Sequence, residues 1–241
     1  MNNNKGLNAK LFDACTAEKA DFDLIEELLD KGADPLVIFN EYDDAVLEEL
    51  FCSASDFMSS GFETPFLDSR VPELVKLFIK HGMDINRVPA LPEDSCVSPL
   101  WSMAFWCTPN AIKTLKILLD SGLKAPELDE FIDHFTMDAG YVSGDLPGYD
   151  YHNYLVCGFK MIMLAASYKE ALESSEYLRK TIGLNSHNKD NNYDLNRFRN
   201  YDDYTYDIDK STCTNLRFGL GNATVIIKEK ESGDEVWRFF L

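Results

Sequence analysis

Residues 72–86, PELVKLFIKHGMDIN, carry the pattern on which the fold is read, because two imperfect copies stand elsewhere, LIEELLDKGADP around Gly32 and IKTLKILLDSGLKAP around Gly122. Aligned on the glycine, each copy has two apolar residues three and four positions earlier: Leu28 and Leu29, Phe78 and Ile79, Leu118 and Leu119. One turn before these stand Leu24 and Ile25, Leu74 and Val75, and Leu115 beside Thr114. Recurrence at i, i+3 and i+4 is the buried stripe of an amphipathic helix, and a glycine after the last turn is expected in the left-handed region that closes it. The chain is therefore expected to be a stack of helical repeats.

Each copy has a partner upstream. Residues 8–16 place Leu11, Ala14 and Cys15 on one face, and the next helix starts after AEKAD with Asp21 or Asp23 as its N-cap. AVLEELFCSASDFM sets Leu47, Leu50, Phe51 and Ala54 on one face before the second copy. WSMAFWC, led by Pro99 at a first helical position, precedes the third, and Thr108, Pro109 and Asn110 turn the chain into it. Between the helices of the second unit lies a long insert, residues 55–70, with several large apolar residues that are expected to pack on their own scaffold. After Gly122, Leu128, Phe131, Ile132 and Phe135 keep helical spacing, and the almost wholly apolar LVCGFKMIMLAASY is expected to be the most buried helix. Residues 185–209 read as a long polar loop. TNLRFGL, NATVIIKEKE and EVWRFFL then read as a three-stranded antiparallel meander.

These units resemble the ankyrin repeat. SPLWSMA followed by LLDSG, LFDACT followed by LLDKGADP, and GMDIN after the middle helix match its sequence of a first helix, a turn, a Leu-Leu helix and a glycine-led loop. The resemblance covers residues 8–135, about three degenerate repeats. Its glycines are 50 and 40 residues apart, against ~33 in the family, and Phe12 and Trp101 stand where the family has histidine. The resulting expectation is a mainly α fold: an ankyrin-like solenoid over 1–135, a helical extension or decayed fourth repeat over 136–184, and a polar loop with a β-meander cap over 185–241. The family implies protein binding through loop tips and first helices, with no intrinsic catalysis.

Composition adds a charge argument. The net charge is −18; residues 1–60 hold 14 acids against 4 bases and residues 125–159 hold 7 acids against none, which is nearly all of it. Such a field disfavours nucleic acid and anionic membrane and favours a basic protein partner. The residues expected to bind it are Tyr42, Asp43, Asp44, Trp101, Trp106, Asp129, Glu130 and Asp133, with a core role competing for the tryptophans. A sharper version makes the chain an acidic immunity or inhibitor protein that neutralises a basic enzyme. A third reading is a scaffold that self-associates through its C-terminal sheet.

No catalytic constellation is found: the chain has no Gly-rich phosphate loop, no Gly-x-Ser-x-Gly and no His-Glu-x-x-His. Residues 190–194 start like a calcium loop, but Leu195 and Tyr201 replace the glycine and glutamate it needs. Glu130, Asp133, His134 and Asp138 read as a solvated acidic face. His81, next to a helix-closing glycine, complements the helix dipole, and Cys15 reads as a poor nucleophile for want of a basic neighbour. No enzyme activity, cofactor or metal is expected. The six scattered cysteines read as reduced thiols, and with neither a leader pattern nor a bilayer-length apolar run the expected location is the cytoplasm, as a monomer.

Overall fold

The computed structural model describes residues 4–37, 45–59, 65–86, 103–123 apart from 105, 129, 131, 132, 135, 151–169, 173, 175, 200–209 and 224–240. The described residues are mainly helical, with one three-stranded antiparallel sheet. The chain forms two compact units, Met1–Leu123 and Lys124–Leu241.

The first unit contains α1 (Asn4–Thr16), α2 (Phe22–Asp30), α3 (Val46–Ser59), α4 (Pro65–Lys80) and α5 (Pro109–Asp120). Helix α1 packs on α2 and α3, α3 packs on α4, and α4 packs on α5. The stripes read from the sequence face inward: Leu11, Ala14 and Cys15 of α1, Leu47, Leu50, Phe51 and Ala54 of α3, and Leu115, Leu118 and Leu119 of α5 are all buried. Each fully buried large apolar side chain contributes about 1.5–3 kcal/mol relative to exposure. Asp21, the first of the two candidate caps, accepts a hydrogen bond from the Leu24 amide at 3.1 Å. Thr108 does the same for α5, accepting from the Ala111 amide at 3.1 Å with Pro109 at the first helical position.

The three glycine-led endings share one geometry. Gly32, Gly82 and Gly122 have φ of 92°, 90° and 90°. At each, the glycine N–H donates to the carbonyl three residues back (Leu29, Ile79, Leu119), and the next N–H donates to the carbonyl five back (Leu28, Phe78, Leu118), at 2.9–3.0 Å. This is the Schellman closure, which satisfies carbonyls the helix leaves open and needs a residue tolerant of positive φ. The loops that follow the first two are pinned too. The Asp34 and Asp84 carboxylates accept from the Leu36 and Asn86 amides. The fully buried Asn8 of α1 accepts from the Asp34 amide at 2.8 Å, and Asn86 donates to the Gly122 carbonyl at 3.0 Å.

Two expectations for this unit are corrected. Helix α4 starts at Pro65, not Pro72, so the last six residues of the expected insert are helical, and Pro72 lies inside the helix. Pro72 denies the Asp68 carbonyl its helical N–H. The turns before it are instead held from outside, by the side-chain bonds of Asp68 and Arg70 described below. Second, the unit ends at Leu123 and not at residue 135. Phe131, Ile132 and Phe135 are buried in the second unit, where Phe135 lies 5.6 Å from the Tyr154 ring and 5.3 Å from the Phe159 ring.

The second unit is built on α6 (Tyr151–Ala166), nearly every described side chain of which is buried from Tyr154 onward. Phe135 lies flush against Gly158: a Cβ there would stand 2.0 Å from the ring. After a 3-10 turn, Tyr201–Asp203, come β1 (Tyr204–Asp209), β2 (Thr224–Glu229) and β3 (Glu235–Phe240), ordered β1-β2-β3 and antiparallel throughout. Tyr204 pairs with Glu229, Val225 with Phe239, and the register slips between Ile227 and Lys228. The second and third strands match the sequence expectation. The first does not: residues 204–209 were expected in the polar loop, whereas TNLRFGL lies outside the described residues. The reason is alternation, with Tyr204 and Tyr206 buried and Thr205 and Asp207 exposed, so the acid sits on the solvent side of a half-buried strand. Tyr206 donates to the Tyr201 carbonyl at 2.9 Å, and burial pushes its phenol up.

Candidate interaction surface

The surface is built on α2 and its cap Asp21, a stretch DFDLIEELLD (residues 21–30) that contains five acids and no base. Ile25, Leu28 and Leu29 turn inward, which leaves Asp21, Asp23, Glu27 and Asp30 exposed. Phe22 and Leu24 are each 42% exposed at the start of the same helix, and Asp13 and Glu18 lie exposed on and just after α1. Part of this charge is compensated. Lys31 pairs with Glu27 along the helix, and Lys80 of α4 reaches Glu26 at 2.7 Å. The hydrogen bond and charge of Lys80, assisted by His81, hold the Glu26 carboxyl below its usual range. These pairs are exposed, where each contributes little to stability.

Two side chains in the stretch expected to be an insert join the helical layers, and their roles were not legible in the sequence. Arg70 reaches back to α1: its guanidinium donates to the carbonyls of Cys15, Ala17 and Glu18 at 2.7, 2.6 and 2.9 Å, closing that helix with a cation where its dipole is negative. Asp68 reaches forward. Its carboxylate accepts from Trp106 Nε1 and Thr108 Oγ1, both at 2.6 Å, and from Asn110 Nδ2 at 2.5 Å. One helix start thus grips the layer before it with a cation and the layer after it with an anion. Cys15 is corrected in the same way: it does have a basic neighbour, Arg70, but burial outweighs that charge and raises the thiol to about 12.

Of the expected binding residues, Trp106 is fully buried and stacks on Phe51 at 5.5 Å between centroids, so it is a core residue and presents no surface to a partner. Its indole N–H, the polar handle an interface would use, is held by Asp68. Asp129 is half-buried and accepts a hydrogen bond from the buried Ser175. Tyr42, Asp43, Asp44, Trp101, Glu130 and Asp133 lie outside the described residues, as do His134, Asp138 and the calcium-like stretch 190–194.

Among the described residues no group of His, Cys, Asp and Glu side chains is gathered as a metal site. No described helix is long and apolar enough to cross a membrane. Comparison with protein-family models, curated proteins and solved structures gives no match for this chain.

Proposed function

We propose that this chain is a non-enzymatic, ankyrin-like repeat protein that captures a basic protein partner through the acidic surface of its first unit. The observation that carries the reading is the outer face of α2, where exposed Asp21, Asp23, Glu27 and Asp30 flank half-exposed Phe22 and Leu24. Such a face gives charge for long-range attraction and a little apolar area for contact. The repeat reading is supported by the three matching Schellman endings and by the Asn8 and Asn86 bonds that fix the loops after the first two. A rigid stack with fixed loops loses little conformational entropy on binding.

Steering of this kind raises association rates by roughly 10–1000-fold and weakens as salt shortens the Debye length below about 10 Å. The test is affinity capture from a lysate with the full chain, at about 50 mM and about 500 mM salt, beside a D23N/E27Q/D30N variant. A basic protein retained at low salt, lost at high salt and depleted by the variant supports the proposal. Capture that ignores both salt and the variant, or no enrichment at all, contradicts it.

A further inference from the structure

We propose that the outer face of α2, α4 and α5 is a self-complementary docking surface whose occupant is a second copy of this chain. Helix α4 lies between the other two: its Lys80 reaches Glu26 of α2 at 2.7 Å, and it packs on α5. Asn86, just past α4, donates to the Gly122 carbonyl at the close of α5. The three helices therefore stand as one layer, with their glycine endings as a common height mark. Counted back from those glycines, the outward charges change sign across the layer. Nine residues before the glycine stand Asp23 on α2, Glu73 on α4 and Lys113 on α5; six before stand Glu26, Lys76 and Lys116. Glu27 adds an acid at five, where α4 and α5 have half-buried Leu77 and Ile117. All these charged side chains are exposed except Glu26, which is half-buried. One edge of the face is acidic and the other basic.

That gradient selects the occupant. A uniformly basic surface laid over the whole face would match α2 and meet like charge at Lys113 and Lys116. A second copy, turned about a two-fold axis running along α4, matches both edges. Such an axis preserves height and exchanges the edges. Asp23 of one copy then faces Lys113 of the other, and Glu26 and Glu27 face Lys116, each contact occurring twice. An axis across the helices would instead set α2 on α2, acid against acid, which is unfavourable. At two residues before the glycine, Asp30 and Asp120 face each other with both copies' Lys80 between them, and Asp120 is already paired with Lys116 at 2.5 Å. The pairs within helices, Glu73 with Lys76 and Lys116 with Asp120, are exposed and weak, so they do not hold the lysines back from a second partner. Phe22 and Leu24 beside the acidic edge, with Leu77 and Ile117, supply apolar contact.

The test is sedimentation velocity of the full chain with a charge swap. Wild type should move from the monomer mass of 27.4 kDa towards twice that value as its concentration rises through about 10–100 μM. D23K/E27K reverses the acidic edge and K113E/K116E the basic edge, and each alone should weaken self-association at least about tenfold, because lysine then meets lysine or acid meets acid. An equal mixture of the two variants restores opposite charge at both edges and should again form the dimer; a variant that had merely misfolded could not be rescued in this way. K113E/K116E leaves every acid of α2 in place, so its effect on mass is separate from capture of a basic partner by α2. A wild type that stays at the monomer mass, a variant that associates as wild type does, or a mixture that remains monomeric overturns the inference.

Discussion

Replacing Asp68 by alanine tests the tie between α4 and the turn before α5, and the structure sets the size of the effect. The substitution removes the acceptor for three donors, which do not lose equally. Trp106 is fully buried and its ring is stacked on Phe51, so the indole N–H has no route to water and is left unpaired, at a cost of about 1–3 kcal/mol. Thr108 keeps one role, since its hydroxyl oxygen still accepts from the Ala111 amide. Asn110 is half-buried and can be solvated. Adding a modest loss for the two bonds to a carboxylate gives about 2–4 kcal/mol for D68A, and about 1 kcal/mol for D68N, which keeps an acceptor oxygen. Equilibrium urea unfolding measures it. In a W106F background, where there is no indole N–H to orphan, D68A should cost about 1–2 kcal/mol less. A D68A loss under about 0.5 kcal/mol, or one that W106F leaves unchanged, would refute the tie.

Other outcomes follow from single contacts. G158A in α6 should destabilise by about 1–3 kcal/mol through the clash with Phe135, despite a helix-propensity gain of about 1 kcal/mol, and F135A should remove most of that loss. Alanine at Gly32, Gly82 or Gly122 should cost about 1–2 kcal/mol at each, because the space beside every one is open and only the positive φ is penalised; a silent site would show that its ending is not held left-handed. The Cys15 thiol, raised by burial to about 12 from an ordinary value near 9, favours the folded state fully below pH 9, and this contribution is lost as pH climbs from 9 towards 12. Cys15 should therefore resist iodoacetamide at pH 8 in the native chain and react in urea, and wild type should lose stability above pH 9 more steeply than C15A.

Much of the first unit was legible because local and tertiary requirements agree there. The i, i+3, i+4 stripes of α1, α3 and α5 are the buried faces, and the glycines after α2, α4 and α5 adopt the left-handed conformation that their position implied. What stayed hidden depends on partners distant in sequence. Phe66 to Arg70 look like a polar-capped loop; they become helix because Arg70 finds three carbonyls more than fifty residues back and Asp68 finds three donors about forty ahead. Strand β1 was hidden by its acids, because a half-buried edge of tyrosines with Asp207 on the wet side reads like a loop until its partner strand is in place. Trp106 was ambiguous for a related reason: a large aromatic suits an interior and an interface alike, and Asp68, not its own neighbours, decides between them.

Electrostatic capture by the α2 face is read in the association rate constant between the full chain and its captured partner, measured by stopped flow at low and high ionic strength. The rate should be at least about tenfold faster at low salt. D23N/E27Q/D30N should remove most of that salt dependence while leaving the fold, read by circular dichroism, unchanged. A rate constant indifferent to salt, or a salt dependence that the triple variant leaves intact, would contradict it.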